Sequence, residues 1–349
     1  MAHTHKTPMA FVLAAGAFFL SQHAGRAENT EPAARQPAVV LEKLEADAAA
    51  GSPASQFELA RAYEHDGVFQ HRAKAAEWYS KAASQEYGPA MCRLGVSSLF
   101  KAATDNGVPV QEVLSPNLTA DSLLEMRSIN ASQDARDAAN WFGKAAARGV
   151  PEAQYCLAVM LAKGRGIAPD IAEAGKWFDL LRKEAGAGKS DAQYFAALMH
   201  HGNEGLGSAP DKGEMIQWLR HSADQGYAPA QWLLGKKYDQ GDGVTRNAAE
   251  YVRWTRTAAE QGLAQAQFDL AILYSFGQAD LAQDYREAVA WCKRAALQGH
   301  CIAQGTLALW YAAGKPNLEK DAAEAEKWNR LAAEQGARQG LNSLGTGRR

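Results

Sequence analysis

The six residues Ala230–Gly235, with the sequence AQWLLG, decide the fold, because similar phrases return at 266–271 (AQFDLA) and 303–308 (AQGTLA). Earlier copies begin at residues 55, 90, 153 and 192, so successive starts are 35, 63, 39, 38, 36 and 37 residues apart. Self-similarity at a fixed period of this length is the sequence signature of a repeat architecture. Only the second copy departs from a period near 37.

A second phrase fixes the phase of the repeat. Each copy contains one tryptophan, and in six of the seven copies the next copy starts 12 residues after it. These account for seven of the nine tryptophans in the chain: Trp78, Trp141, Trp177, Trp218, Trp254, Trp291 and Trp328. The seven copies therefore share one internal register.

Each copy predicts a helix, a turn and a second helix. An alanine at position one, the first residue of the copy, and a glycine or alanine five residues later let two helix backbones approach closely. A glycine eleven residues after the start predicts the end of the first helix, and another predicts the end of the second. The turn glycines are Gly164, Gly241, Gly277 and Gly314, and the closing glycines are Gly149, Gly226, Gly262, Gly299 and Gly336.

Three details of this pattern are specific to single copies. Glu86 replaces the closing glycine of the first copy. Three extra residues at 184–189 predict a looser turn after the third copy. The sequence Gly164-Arg165-Gly166 is interpreted as a helix stop, because a phosphate-binding loop would need a preceding strand and none is evident.

The repeated pattern resembles the Sel-one-like repeat, a relative of the tetratricopeptide repeat, over roughly residues 55–340. In order along each copy, the pattern consists of Ala, Leu-Gly, Tyr, Gly-x-Gly, Trp, Ala-Ala and Gly. The resemblance implies an all-α fold, an α/α superhelical solenoid of seven helix-turn-helix repeats. It also implies first helices that line a concave surface, and a scaffold or adaptor function, often in exported bacterial proteins.

The ends of the chain and one insertion differ from the repeats. Residues 1–27 combine Lys6, the apolar stretch 9–20 and the small residues around Arg26, which is typical of a cleaved secretory signal. An uncleaved anchor is the alternative. We expect a flexible linker at 28–40, a capping helix at 41–54 and the solenoid at 55–345, with an eighth first helix starting at Gly340. The insertion 101–133 predicts a short helix at 119–129, or a disordered loop.

Composition limits the classes of partner. Hydrophobic residues make up 47% and charged residues 22%, as in a packed helical protein. The formal net charge of −2, without long runs of like charge, does not favour nucleic acid or an anionic membrane as partner. After signal removal we expect no membrane span, a monomer, and a periplasmic or extracellular location. No cofactor is expected.

Catalytic and metal-binding motifs are scarce. Ser98 and Lys101 match the Ser-x-x-Lys of penicillin-interacting enzymes, and Ser128 and Asn130 offer a Ser-x-Asn, but the Lys-Thr-Gly element is missing. A cell-envelope serine hydrolase or penicillin-interacting enzyme is one alternative function, and a purely structural element within an envelope assembly is another. His200 and its neighbour point about 100° apart on a helix, which disfavours a shared metal ion. We predict no catalytic residues and no metal site.

The four cysteines are Cys92, Cys156, Cys292 and Cys301. Disulfides persist in exported proteins, and only Cys292 and Cys301, nine residues apart, are placed to form one. Buried thiols at all four positions are the preferred interpretation, and a Cys292–Cys301 disulfide is the alternative.

The most direct functional interpretation is binding of a protein or peptide partner. By analogy with tetratricopeptide grooves, positions three, seven and ten of each first helix should face the concave surface, since residues at i, i+4 and i+7 align. The predicted contacts are Arg61, Tyr155, Tyr194, His201, Trp232, Lys236 and Phe268. The alternative for the aromatic residues is packing between adjacent copies.

Overall fold

The structure, a computed structural model, describes the backbone of residues 36–65, 69–105, 132–200, 211–279 and 281–344. Side chains are described for residues 42–64, 74–103, 132–200, 211–279 and 281–333. Within these ranges the regular structure is helical, with an isolated β-bridge between Lys315 and Leu318. None of the described helices is long and apolar enough to cross a membrane. The predicted all-α chain of repeated helix pairs is confirmed.

The chain forms two compact units. The first comprises residues 1–94 with 297–299, and the second comprises residues 95–296 with 300–349. Even-numbered helices below are the first helices of the seven copies, odd-numbered helices from α3 are the second helices, and α1 precedes the repeats. The helices are α1 Gln36–Ala49, α2 Pro53–His65, α3 Phe69–Ser84, α4 Gly88–Asp105, α5 Gln133–Ala146, α6 Pro151–Lys163, α7 Ile171–Gly186, α8 Ser190–Met199, α9 Lys212–Asp224, α10 Ala228–Gln240, α11 Ala248–Glu260, α12 Ala264–Phe276, α13 Tyr285–Leu297, α14 Cys301–Ala313 and α15 Ala322–Leu344.

Helix ends follow the predicted glycines. Gly164, Gly241 and Gly277 adopt φ of 67°, 71° and 63° and donate to the carbonyl four residues earlier, so α6, α10 and α12 end there. Glu86 has φ 64° and adopts the left-handed conformation in the place of the missing closing glycine. This confirms the predicted helix stops at these positions.

The starts of six second helices, α5 to α15, are capped by side chains. An Asp, Asn or Ser accepts a hydrogen bond from a backbone N–H in the first turn, which satisfies one of the donors that a helix start leaves free. The capping residues of α5, α7, α9, α11, α13 and α15 are Ser132, Asp170, Asp211, Asn247, Asp284 and Asp321.

Buried glutamines connect consecutive copies. The glutamine at position two of a copy donates to the carbonyl eight residues earlier, near the end of the preceding helix. The pairs are Gln56 with Ala48, Gln193 with Ala185, Gln231 with Ala223, Gln267 with Ala259 and Gln304 with Ala296, at 3.0–3.2 Å. A second glutamine donates to the side-chain oxygen of the first in the pairs Gln85–Gln56, Gln225–Gln193 and Gln261–Gln231. The Ala-Gln phrase is therefore explained by buried hydrogen bonds as well as by small size.

Three expectations about boundaries differ from the structure. The capping helix begins at Gln36, inside the stretch expected to be a linker. The extra residues of the third copy lengthen α7 to 16 residues, so they are absorbed by helix instead of loosening the turn. The last second helix, α15, continues through Gly336 to Leu344, so the expected stop and the separate eighth first helix are wrong. The signal 1–27 and residues 106–131 of the insertion lie outside the described residues.

Candidate functional site

Two of the predicted contact residues are buried between copies three and four. Tyr155 is 1% exposed and Tyr194 is 6% exposed. The ring of Phe195 lies 5.6 Å from that of Tyr155 and 5.1 Å from that of Tyr194, centroid to centroid. Tyr194 also contacts Tyr227, which directly precedes the first helix of copy five. A partner cannot reach these rings, so the prediction of surface contacts is wrong here and the packing alternative is correct.

Arg61 and His201 have different outcomes. In the first unit, Arg61 is exposed and forms an ion pair with Glu58 at 3.3 Å, and its guanidinium lies 6.0 Å from the ring of Phe57. It is accessible but already has a partner. His201 lies outside the described residues, and its predicted contact stays a prediction.

Trp232 and Lys236 meet a carboxylate that the sequence analysis did not single out. The indole Nε1 of Trp232 donates to Asp269 Oδ2 at 2.9 Å, and Gln265 Nε2 donates to Asp269 Oδ1 at 2.9 Å. Lys236 Nζ lies 3.8 Å from Asp269 Oδ2 and 5.4 Å from the ring centroid of Tyr251. The structure thus brings two predicted residues together around one carboxylate that links α10 to α12.

Burial controls the charge state of this carboxylate. The Asp269 side chain is largely buried, and this desolvation raises the pKa of its carboxyl above the usual value. The N–H of Trp232 and the ammonium of Lys236 oppose that rise. The only sequence signal for Asp269 was an acid at position four, where the neighbouring copies have Leu233 and Thr306.

Phe268 packs against the next copy through His300. The two ring centroids are 4.6 Å apart. His300 Nε2 lies 2.9 Å from Gln265 Oε1, and His300 Nδ1 accepts the backbone N–H of Ala303 at 3.1 Å. Burial lowers the pKa of the His300 imidazole to about 4. Gln265 therefore connects the Asp269 carboxylate to a buried, neutral imidazole.

Position seven of the first helix changes from buried to exposed along the second unit. Val159 in copy three and Leu198 in copy four are buried, Lys236 and Ile272 are half-buried, and Leu309 in copy seven is 70% exposed. Two further large apolar side chains are exposed on the last two first helices, Phe276 at 64% and Ile302 at 53%. We call Phe276, Ile302 and Leu309 the exposed first-helix patch.

The patch lies on helices with little charge. Ile302 and Leu309 are seven residues apart on α14 and share a face, and a Cβ added to Gly305 between them would meet no atom within 4 Å. No residue of α14 carries a charge, and Asp269 is the one charged residue of α12. The exposed face of α14 therefore offers a partner apolar surface and no charged side chain.

The cysteines are thiols in this structure. Cys292 is buried, which raises the pKa of its thiol, and its Sγ donates to Ala303 O at 3.4 Å. Cys301 is partly exposed at the start of α14. A Cys292–Cys301 disulfide is thus not formed here, in accordance with the thiol interpretation.

The structure describes only part of the residue set considered for catalysis or metal binding. Lys101 forms an exposed ion pair with Asp134 at 2.9 Å, while Ser128 and Asn130 lie outside the described residues. Among the residues whose side chains are described, no three His, Cys, Asp or Glu side chains are grouped so as to hold a metal ion.

The repeated helix pairs, joined by buried glutamines and ending in one exposed apolar patch, define a helical-repeat scaffold. The chain belongs to the Sel1 repeat family, whose repeat matches residues 53–87, 124–150, 151–181, 190–227, 228–263, 264–300 and 302–336, more than half of the sequence. Proteins built of this repeat generally mediate protein–protein interactions. The second match covers only the latter part of copy two.

Similar proteins are distributed among bacteria and fungi. A solved Sel1 repeat protein from Oxalobacter formigenes is 23% identical with a TM-score of 0.46, over 95% of this chain and 82% of that one. Chitin synthase regulatory factor 3 of Schizosaccharomyces pombe is 28% identical over 130 residues, 37% of this chain and 11% of that protein. A protein of Neisseria meningitidis serogroup B is 29% identical over 190 residues, 54% of this chain and 39% of that protein. The chain spans less than half the length of the latter two relatives.

Proposed function

We propose that this protein is an exported scaffold that binds a polypeptide segment of a partner protein on the first helices of its last copies. The observation that carries the proposal is the exposed first-helix patch on α12 and α14. A helix without charges is normally covered on all sides in a folded protein. α14 has no charges yet exposes Ile302 and Leu309, which supports a partner as the missing cover.

The chemistry of the patch indicates the kind of segment. Ile302 and Leu309, which lie on either side of the open Gly305 along α14, form a surface for apolar anchors of similar size. Lys236 of α10 and Asp269 of α12 form an ion pair with each other, so this pair offers no unpaired charge to a strongly charged peptide. The partner segment should therefore present two or three large apolar residues, among which aromatic side chains such as Trp contribute most to binding energy in interfaces.

Matched variants test this assignment. Phe276→Gln combined with Leu309→Gln removes apolar area from the patch, and Ile171→Gln combined with Leu180→Gln does the same on α7, where both residues are also exposed. Proteins that the unmodified chain retains from envelope extract are identified, and their dissociation constants are measured for both variants. We expect at least tenfold weaker binding for the patch variant and less than twofold change for the α7 variant. Equal affinity of the two variants, or no reproducible partner, contradicts the proposal.

Export is the second part of the proposal. Its support is the order of charge, apolar stretch and small residues in the first 27 residues. Intact mass of protein recovered from the native host should correspond to a chain that begins at Glu28. A recovered chain that begins at Met1 or Ala2 contradicts cleavage.

A further inference from the structure

The start of α14 is built differently from the starts of the other first helices of the second unit. In α6, α8, α10 and α12 the residue before the helix makes no side-chain bond to the first turn; these residues are Val150, Lys189, Tyr227 and Leu263. Before α14 stands His300, whose Nδ1 accepts the N–H of Ala303 at 3.1 Å. A histidine therefore performs the capping that Asp, Asn and Ser perform in the second helices.

The same imidazole also joins α14 to the preceding copy. Its ring packs on Phe268 of α12, and its Nε2 faces the side-chain oxygen of Gln265 at 2.9 Å. Because the amide nitrogen of Gln265 is donated to Asp269, the oxygen must be the group that faces His300. His300 therefore donates from Nε2 and accepts at Nδ1, which requires the neutral ring.

The charged and titratable groups around His300 do not compensate a proton on the ring. From α12 the nearest carboxylate is Asp269, which lies behind Gln265. α13 contributes the thiol of Cys292, which donates to Ala303 O. It also carries two cations that contact other groups: Lys293 lies near Tyr311 and Glu324, and Arg294 lies over the ring of Trp291. α14 itself contributes the partly exposed thiol of Cys301 and no charged residue.

We propose that His300 is an acid-sensitive latch, and that protonation of its Nδ1 opens the first turn of α14 and separates this turn from α12. A proton on Nδ1 turns the acceptor into a donor that faces the donor N–H of Ala303, so the cap is lost. The new positive charge also lies at the N-terminus of a helix, where the helix dipole opposes it. Ile302 of the exposed first-helix patch lies in this turn, so opening of the latch would alter the proposed binding surface. Only this connection to partner binding rests on the proposed function.

The pH window follows from the two protonation states. The pKa of a histidine released into water is about 6.5, whereas that of the latched ring is about 4. The stabilisation by the neutral ring is therefore complete above pH 6.5 and is lost as the pH falls from 6.5 towards 4. Between pH 7 and pH 5 the equilibrium constant for opening should rise by about twentyfold.

Hydrogen exchange on the protein alone measures this constant. Protection factors of the amides of residues 303 and 304 should fall by about twentyfold from pH 7 to pH 5. Those in the first turn of α10, which has no histidine cap, serve as the reference and should stay constant. Unchanged protection of α14 overturns the latch and leaves the binding proposal untouched, because no partner is present in the measurement.

A variant separates capping from titration. Asn247 caps α11 through its side-chain oxygen at 3.1 Å, so His300→Asn keeps an acceptor at the start of α14 but cannot be protonated in this range. The variant should show no pH-dependent loss of protection, and a loss equal to that of the unmodified chain overturns the proposal. NMR titration of the unmodified chain provides a check that needs no variant. The His300 ring should remain neutral at pH 5.5 with its proton on Nε2, and an ordinary titration near 6.5 overturns the proposal.

Discussion

Copies three and four differ from copies six and seven although all four follow the same repeat phrase. In the earlier pair, Tyr155, Tyr194 and Phe195 fill the space between α6 and α8, and position seven is buried. In the later pair, positions three and four of copy seven are Gly305 and Thr306, and Leu309 at position seven is exposed. The repeat phrase determines where helices begin, end and touch. We infer that the size of the side chains at positions three and four decides whether position seven of a first helix is covered.

The largest expected effect comes from truncation of one large side chain in each region. Tyr155→Ala removes a buried aromatic side chain and should lower the free energy of unfolding by about 3–5 kcal/mol. Leu309→Ala removes a side chain that is mostly in water and should change it by less than about 0.5 kcal/mol. Urea denaturation followed by circular dichroism measures both. Similar losses in the two variants would show that the two regions are packed alike.

The difference between these regions was only partly predictable. The helix pairs, their period and the stops at Gly164 and Gly241 follow from glycine and tryptophan spacing, because local backbone conformation depends on nearby residues. The burial of position seven in a given copy depends on contacts between residues about 37 positions apart, such as Trp232 and Asp269. A single sequence does not reveal such contacts. The sequence does not distinguish a surface role from a packing role for the aromatic residues at position three, because their chemistry suits both a binding site and a packed interface.

Replacement of one donor to Asp269 should have an intermediate, pH-dependent effect. Trp232→Phe keeps an aromatic ring but removes the N–H that bonds Asp269 Oδ2 at 2.9 Å. At pH 7 the loss of a hydrogen bond to a charged, buried group should cost about 2 kcal/mol. Burial already raises the pKa of Asp269, and removal of a donor raises it further. The cost of the variant should therefore decrease as the pH is lowered from 7 towards 4, because protonation of the carboxyl weakens its need for the donor.

The control for this effect is the same replacement next to a neutral side chain. In an Asp269→Asn background, Trp232→Phe should cost about 1 kcal/mol or less at both pH values, because no charge remains to be stabilised. Thermal or urea denaturation at pH 7 and pH 4 measures the cost of Trp232→Phe in the unmodified and the Asp269→Asn backgrounds, which gives four values. A cost that is independent of pH in the unmodified background would show that Asp269 is not the group that Trp232 stabilises.

The smallest expected effect compares the buried glutamines of copies five and seven. Gln231 makes two hydrogen bonds, donating to Ala223 O at 3.0 Å and accepting from Gln261 at 2.6 Å. Gln304 donates to Ala296 O at 3.1 Å, while its buried side-chain oxygen has no partner among the described residues. Gln231→Leu should therefore cost about 1 kcal/mol, since two bonds are lost and the apolar gain offsets only part of them. Gln304→Leu should change the free energy of unfolding by less than about 0.5 kcal/mol, because removing a buried, unpaired oxygen offsets the lost bond. Urea denaturation of the two variants in parallel measures both costs. If Gln304→Leu lowers the free energy of unfolding more than Gln231→Leu does, the side-chain oxygen of Gln304 is hydrogen-bonded in solution, and the glutamine of copy seven is bonded in the same way as that of copy five.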